Sequence, residues 1–295
     1  MRVHLALFVV SLLYAILFSL AGQIMPEYLR PEGFVMLRIL TAFILFQITA
    51  AIVGLEKVDW KNHGLEFAIC AFFGTFANMI LFFRGLSLTH PINGAILMLV
   101  TPLFVAIFDH FRIRSWPKFG FVFGTLAAAL GSVWLMMGKG AQFNSQTIKG
   151  DLFVALNALF YSIYLVRVKK LTAVYQPLTV NRISFFFGVL FMASIGGLTD
   201  LGNTQLTQIP QAIAFKIAYI LFFTSFLVYL LNAYAVKKAG PTLAGLYIYL
   251  QPVLASGIAL ILGTDQLSTP RITQMILIMA GVWTATRFSP SSSKH

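Results

Sequence analysis

The chain has 295 residues, 59% of them apolar and only 10% charged, where an ordinary globular domain carries about a quarter charged residues. That composition excludes a water-soluble enzyme or binding domain, and this length holds about ten crossings of a ~30 Å hydrocarbon layer with short loops between them. The 21 Lys and Arg against nine Asp and Glu give a net charge of +12, which on so apolar a chain fits cytoplasmic loops and lipid headgroups rather than nucleic acid.

Apolar runs of spanning length fall at about 3–22, 34–53, 66–84, 91–108, 119–137, 150–166, 180–198, 212–235, 241–263 and 270–287. They predict an all-α integral membrane protein with ten transmembrane helices, since none shows the alternation of a barrel strand. The first run has Arg2 ahead of it and Ser19-Leu20-Ala21-Gly22 at its end, the outline of a signal peptide. Nine further spans make it helix 1 instead. Residues 289–295 read as a disordered, serine-rich tail. Alternate loops differ in charge. One side holds Arg2, Lys57, Lys61, Arg112, Arg114, Lys118, Arg167, Lys169, Lys170, Lys237, Lys238, Arg287 and Lys294, thirteen in all; the other holds Arg30, Arg84, Lys139, Lys149, Lys216 and Arg271. This bias places both termini in the cytoplasm.

A shift of 150 residues lays Phe76 on Phe226, Leu81 on Leu231, Pro91 on Pro241, Pro102 on Pro252 and Gly131 on Gly281. Shifts of 144 and 147 lay Arg38-Ile39 on Arg182-Ile183, and Tyr14 and Ile16 on Tyr161 and Ile163. The chain therefore divides into a first five-helix repeat (1–137, helices 1–5) and a second (138–288, helices 6–10). Five is odd, so the second enters the membrane inverted. Inverted repeats mark secondary transporters, whose sites lie near the midplane between the halves. Channels and non-transporting membrane sensors are the rival readings.

Pro91 and Pro241 open helices 4 and 9, where a missing N–H costs nothing. Pro102 and Pro252 lie roughly 16 Å deeper, where each removes a helical hydrogen bond and frees the carbonyl of Met98 or Ile248. They are read as kinks that shape a cavity, with Thr101 and Gln251 immediately before them. Polar stripes at helical spacing add Ser11 and Tyr14 on helix 1, Thr75 and Asn78 on helix 3, Asn157, Tyr161 and Tyr164 on helix 6, Ser225, Tyr229 and Asn232 on helix 8, and Tyr247 and Gln251 on helix 9. Amides find no partner in hydrocarbon, so these stripes should face the bundle interior. Candidate substrate contacts are Tyr14, Asn78, Thr101, Asn157, Tyr161, Tyr229, Asn232, Tyr247 and Gln251. Arg38 and Arg182, inside their spans, are candidates for a gate or an anion contact. The centres of helices 7 (Phe185 to Ala193) and 10 (Met275 to Val282) are apolar and read as outer surfaces facing lipid or a dimer partner. The apolar faces of helices 5 and 10 leave room for a homodimer.

All nine acids sit in loops or at span ends, so the cavity is expected to be aromatic, amide-lined and nearly neutral. The five histidines are scattered, and Cys70 is the only cysteine. No disulfide, metal site or cofactor is expected. No nucleophile elbow or P-loop appears, so no catalytic residue is assigned.

Ten helices in two inverted five-helix units resemble the drug/metabolite transporter superfamily, in particular its EamA-like branch of bacterial permeases. The stretches that carry the resemblance are Met25-Pro26-Glu27-Tyr28 through Arg38, Phe83-Arg84-Gly85-Leu86-Ser87-Leu88-Thr89 through Pro102, Gly150-Asp151-Leu152, and Tyr247-Ile248-Tyr249-Leu250-Gln251-Pro252-Val253. It implies a cavity walled by helices 1, 3, 4, 6, 8 and 9 and alternating-access transport of a small organic metabolite, such as an amino acid or an aromatic or amphiphilic compound. Export or exchange across the bacterial cytoplasmic membrane is implied with it. Helix 1 departs from the pattern, with Tyr14-Ala15-Ile16-Leu17-Phe18 where an asparagine or tryptophan is common in the branch.

Overall fold

A chain segment too apolar for water and surrounded by hydrocarbon must satisfy its backbone internally, which a helix does. In the computed structural model the described residues are all but Pro26, Ser115, Trp116, Lys139, Ala141, 262–267 and 290–295, and no strand occurs among them. The expected C-terminal tail lies outside the described residues, apart from Ser289. Each predicted run falls on a helix: α1 Arg2–Ala21, α2 Pro31–Val53, α3 Trp60–Leu86, α4 Pro91–Ile113, α5 Phe119–Met137, α6 Ile148–Val174, α7 Pro177–Ser194, α8 Gln211–Ala239, α9 Pro241–Ile261 and α10 Thr269–Phe288. A short helix, Gly197–Gly202, follows α7. Helices α2 to α9, eight in number, are each long and apolar enough to cross a membrane. The apolar stretch of α1, Arg2–Phe18, is shorter, and α10 carries Arg271, Gln274 and Arg287.

Proline occupies the first turn of α2, α4, α7, α9 and α10, where its missing N–H has no helical partner to lose. Asp59 caps α3 by accepting from the Asn62 N–H at 3.1 Å, and the hydrogen bonds from Asn62 hold its carboxyl below the usual carboxylate range. Several helices outrun the apolar runs that announced them, among them α3, starting at Trp60 rather than 66, and α6, ending at Val174 rather than 166. The added turns carry charge, and Arg167 of α6 pairs there with Glu66 of α3 at 2.6 Å.

Three pairs of helices one half-chain apart pack against each other and run antiparallel. On α5 and α10, Gly120 meets Phe288, Gly124 meets Ala285 and Gly131 meets Ile278. The backbones nearly touch: a Cβ on Gly124 would lie 2.4 Å from the Ala285 nitrogen. On α2 and α7, Met36 lies beside Gly197 just past α7, Ile39 beside Gly188, and the Phe46 and Phe185 rings are 5.3 Å apart. On α4 and α9, Val105 packs on Gly245 and Asp109 accepts a hydrogen bond from Thr242. The remaining packing has the same symmetry. Helix α3 lies on α6 as α8 lies on α1, α4 on α6 as α9 on α1, and α3 on α7 as α8 on α2.

The interruptions match too. Residues Phe72–Phe76 of α3 and Ile220–Leu227 of α8 form π turns, and a shift of 150 carries the first into the second. Helix α4 breaks after Met98 and resumes at Thr101, while α9 tightens to a 3₁₀ turn at Tyr247–Tyr249. Both breaks lie just ahead of Pro102 and Pro252, each of which lacks the N–H that would continue the helix.

The expectation that the centre of α7 is an outer surface holds for one face, where Phe186 and Leu190 are exposed, and is corrected for the other. Phe185 is fully buried, edge-on to Tyr229 at 4.9 Å, and a Cβ on Gly188 would lie 3.2 Å from Thr75. An apolar helix centre serves a core and a bilayer equally, so its composition cannot tell them apart.

Candidate functional site

Polar side chains from six helices converge on one cavity of about 60 Å³, room for a few water molecules in this conformation. Its wall contains Tyr14, Asn78, Asn157, Tyr161, Tyr229, Asn232, Tyr247 and Gln251, together with Ser11 and Arg38. Apolar and aromatic residues complete it: Val10, Leu17, Phe18, Met79, Phe82, Phe83, Met98, Ala244 and Ile248. Among the lining residues Arg38 is the sole charged side chain.

The amides are tied into pairs that cross between helices. Asn78 of α3 donates to Asn157 Oδ1 of α6, and Asn157 Nδ2 reaches Met98 Sδ of α4 at 3.0 Å. Asn232 of α8 donates to the Tyr161 hydroxyl of α6 at 2.6 Å. The Tyr247 hydroxyl is 2.7 Å from His4 Nδ1, and the Tyr247 carbonyl, which also accepts from the Leu250 N–H at the 3₁₀ turn of α9, accepts from Ser11 Oγ at 2.8 Å. Buried amides are therefore fixed by partners rather than left to hydrocarbon.

Both π turns are held by side chains from the opposite half. The Tyr229 hydroxyl of α8 donates to the Gly74 carbonyl in the π turn of α3 at 3.0 Å. Arg38 of α2 reaches into the π turn of α8, where its Nε donates to Ser225 Oγ at 2.8 Å and its Nη2 to Thr224 Oγ1 at 3.2 Å and Thr224 O at 3.4 Å. A π turn leaves backbone groups off the regular ladder, and these contacts satisfy two of them.

Not every candidate faces the cavity. Thr101 is wholly buried outside it, its carbonyl accepting from Ser162 of α6 at 3.1 Å and its hydroxyl without a partner. The break at Leu99 and Val100 turns Thr101 toward α6, whereas its repeat mate Gln251 remains on the wall. Pro102 is buried in packing, and Pro252 lines a separate apolar groove with Phe18, Ile248 and Gln251. Arg182, mate of Arg38, lies off the cavity, half-buried, with no hydrogen bond or ion pair to another described residue. Of the two candidate arginines only Arg38 reaches the cavity, and at the α3 π turn Tyr229 makes the contact that Arg38 makes at α8. Tyr164 and Thr75 point elsewhere as well. Tyr164 stacks on Tyr161 and covers Gly74; Thr75 donates to Ala71 O and Ser184 O. Sequence reasoning also placed no wall on helix 2, and Arg38 supplies one. Among the described residues no three His, Cys, Asp or Glu side chains gather as a metal site would need.

The EamA-like transporter family matches this chain twice, over residues 1–137 and 148–287. A protein described as the uncharacterized transporter YyaM of Bacillus subtilis is 26% identical over 249 residues, covering 83% of this chain and 81% of its own. Uncharacterized transporters of Archaeoglobus fulgidus and Clostridium kluyveri are 24% and 21% identical, covering 73% and 93% of this chain and 76% and 91% of their own. A solved crystal structure superposes with a TM-score of 0.75 over 97% of both chains at 20% identity, a likeness of fold.

Proposed function

This chain belongs to the EamA-like transporter family, a multi-pass membrane transporter and not an enzyme, and on that premise we propose that it is a carrier for a small organic metabolite working by alternating access. In this reading ten helices cross the bacterial cytoplasmic membrane as two inverted five-helix repeats, 1–137 and 138–288, with both termini in the cytoplasm. The solute is an amino acid or an aromatic or amphiphilic compound, and the carrier exports or exchanges it. Tyr14, Asn78, Asn157, Tyr161, Tyr229, Asn232, Tyr247 and Gln251 bind it through hydrogen bonds and ring contacts. Thr101, Pro102 and Pro252 act on the site through the helix breaks rather than by touching the solute.

One observation carries the reading. The cavity is walled by matched helices of both halves, α1 with α6, α3 with α8 and α4 with α9, so rocking one half against the other opens and closes it without rebuilding it. The antiparallel pairs α2–α7, α4–α9 and α5–α10 support the inversion.

Counterflow in proteoliposomes tests it. For a compound that raises the melting temperature of the purified protein, unlabelled compound on the far side should accelerate uptake of the labelled form. Asn157→Ala combined with Tyr161→Phe should abolish both acceleration and thermal shift. Flux without trans-stimulation would identify a channel, and binding without flux a sensor.

A further inference from the structure

Arg38 is the one cavity residue whose chemistry the amide and aromatic wall leaves unanswered. It is 2% exposed, on α2, with Phe83 4.6 Å from its guanidinium carbon and covering one face. A guanidinium has five N–H donors in a rigid fork. Here Nε and Nη2 point into the α8 π turn at Ser225 and Thr224, all of them neutral acceptors. Nη1 meets no hydrogen-bond acceptor among the described residues, and no carboxylate among them lies within ion-pair distance of Arg38. A buried charge without a counter-charge is costly, and this one lies on the wall of the cavity.

We infer that the solute is an organic monoanion whose carboxylate binds the free Nη1 of the Arg38 guanidinium while its apolar body packs on the cavity rings. The inference deepens the carrier reading and rests on it. The free Nη1 offers N–H donors to a carboxylate oxygen, and such a charge-assisted bond is roughly twice as strong as one to a neutral acceptor. The rest of the wall agrees. Phe18, Phe82 and Phe83 offer ring surface and no acid, so an ammonium has no counter-charge and a zwitterionic amino acid leaves its cationic end unanswered.

The charge sets a direction. Loaded with a monoanion the site is neutral, and empty it carries one positive charge, so an inside-negative potential draws the empty site inward. Each outward delivery moves one negative charge out, worth roughly a 50-fold concentration ratio per 100 mV.

The test uses the full-length protein and matched probes. Small aromatic and aliphatic monocarboxylates, among them 3-phenylpropionate and 4-methylvalerate, are compared with their primary amides and with phenylalanine and leucine by thermal shift. Carboxylates should stabilise the protein and their amides and amino acids should not, with at least tenfold weaker binding in Arg38→Gln and partial recovery in Arg38→Lys. Should Arg38→Gln fail to fold, the wild-type protein still decides. In proteoliposomes, a valinomycin potassium potential negative on the side holding the carboxylate should accelerate its exit severalfold. Equal stabilisation by amides or amino acids, no stabilisation by any carboxylate, or exit indifferent to potential each overturns the inference. Counterflow of an amide or amino acid alone would leave the carrier standing and remove the anion. Carboxylate binding without flux would do the reverse.

Discussion

Gly74 lies in the π turn of α3 with the Tyr164 ring pressed against it, and a Cβ there would sit 2.2 Å from Tyr164 Cδ2. Backbone and ring cannot both keep their places, and overpacking of this kind costs about 1–3 kcal/mol. Gly74→Ala should therefore lower the thermal unfolding temperature in detergent, and adding Tyr164→Leu should restore part of the loss by making room. Gly74→Ala as stable as the parent would mean that the ring yields freely. Legibility divides at this same scale. An amide or tyrosine inside an apolar span stands out because hydrocarbon offers it no partner, and eight of the nine proposed contacts do line the cavity. Phe82, Phe83 and Ile248 gave no signal, since the same residues suit a lipid-facing surface. Thr101 misled for a different reason: its polarity pointed inward, but the break before it rotates the residue onto α6.

The paired π turns are the feature of the helices that periodicity could not reveal, since a stripe counted at 3.6 residues per turn assumes an uninterrupted helix. Ser225 illustrates the consequence. It was grouped with Tyr229 and Asn232, yet within the π turn its hydroxyl donates to Ile220 O, five residues back, and accepts from Arg38. Tyr229 and Asn232, beyond the π turn, reach the cavity. A π turn is a bend whose energy depends on what satisfies its displaced groups, and here the satisfying atoms belong to the other half of the chain. In the proposed rocking mechanism, moving one half against the other would break or remake these bonds, which would make α3 and α8 its hinges. Tyr229→Phe removes only the hydroxyl that donates to Gly74 O. A buried carbonyl left without its donor costs about 1–3 kcal/mol. The expected result is a lower melting temperature, with the counterflow rate changed more than the affinity, because the ring still lines the cavity. A variant matching the parent in both rate and stability would show that the bond holds nothing.

At the scale of the whole molecule, two independent properties lead to one topology. The first is electrostatic: basic residues concentrate in alternate loops, as the cytoplasmic side of a membrane protein requires. The second is geometric: α2 with α7, α4 with α9 and α5 with α10 run antiparallel to their half-chain mates, as they must if an odd number of crossings separates the copies. Neither depends on the other, since loop charges do not direct glycine contacts. In the proposed topology the geometry puts the α2–α3 and α7–α8 connections on opposite sides, and the charge bias makes the α2–α3 side the cytoplasmic one. Cys70 is buried, so Cys70→Ala gives a background for labelling, and Lys57 and Asn203 are exposed on those two connections. Lys57→Cys should react with a membrane-impermeant maleimide only after the cells are permeabilised, and Asn203→Cys should react in intact cells. Labelling of both from the same side would require an even number of crossings between them, incompatible with α3 to α7 as five spans, and the shared cavity between opposed halves would lose its basis.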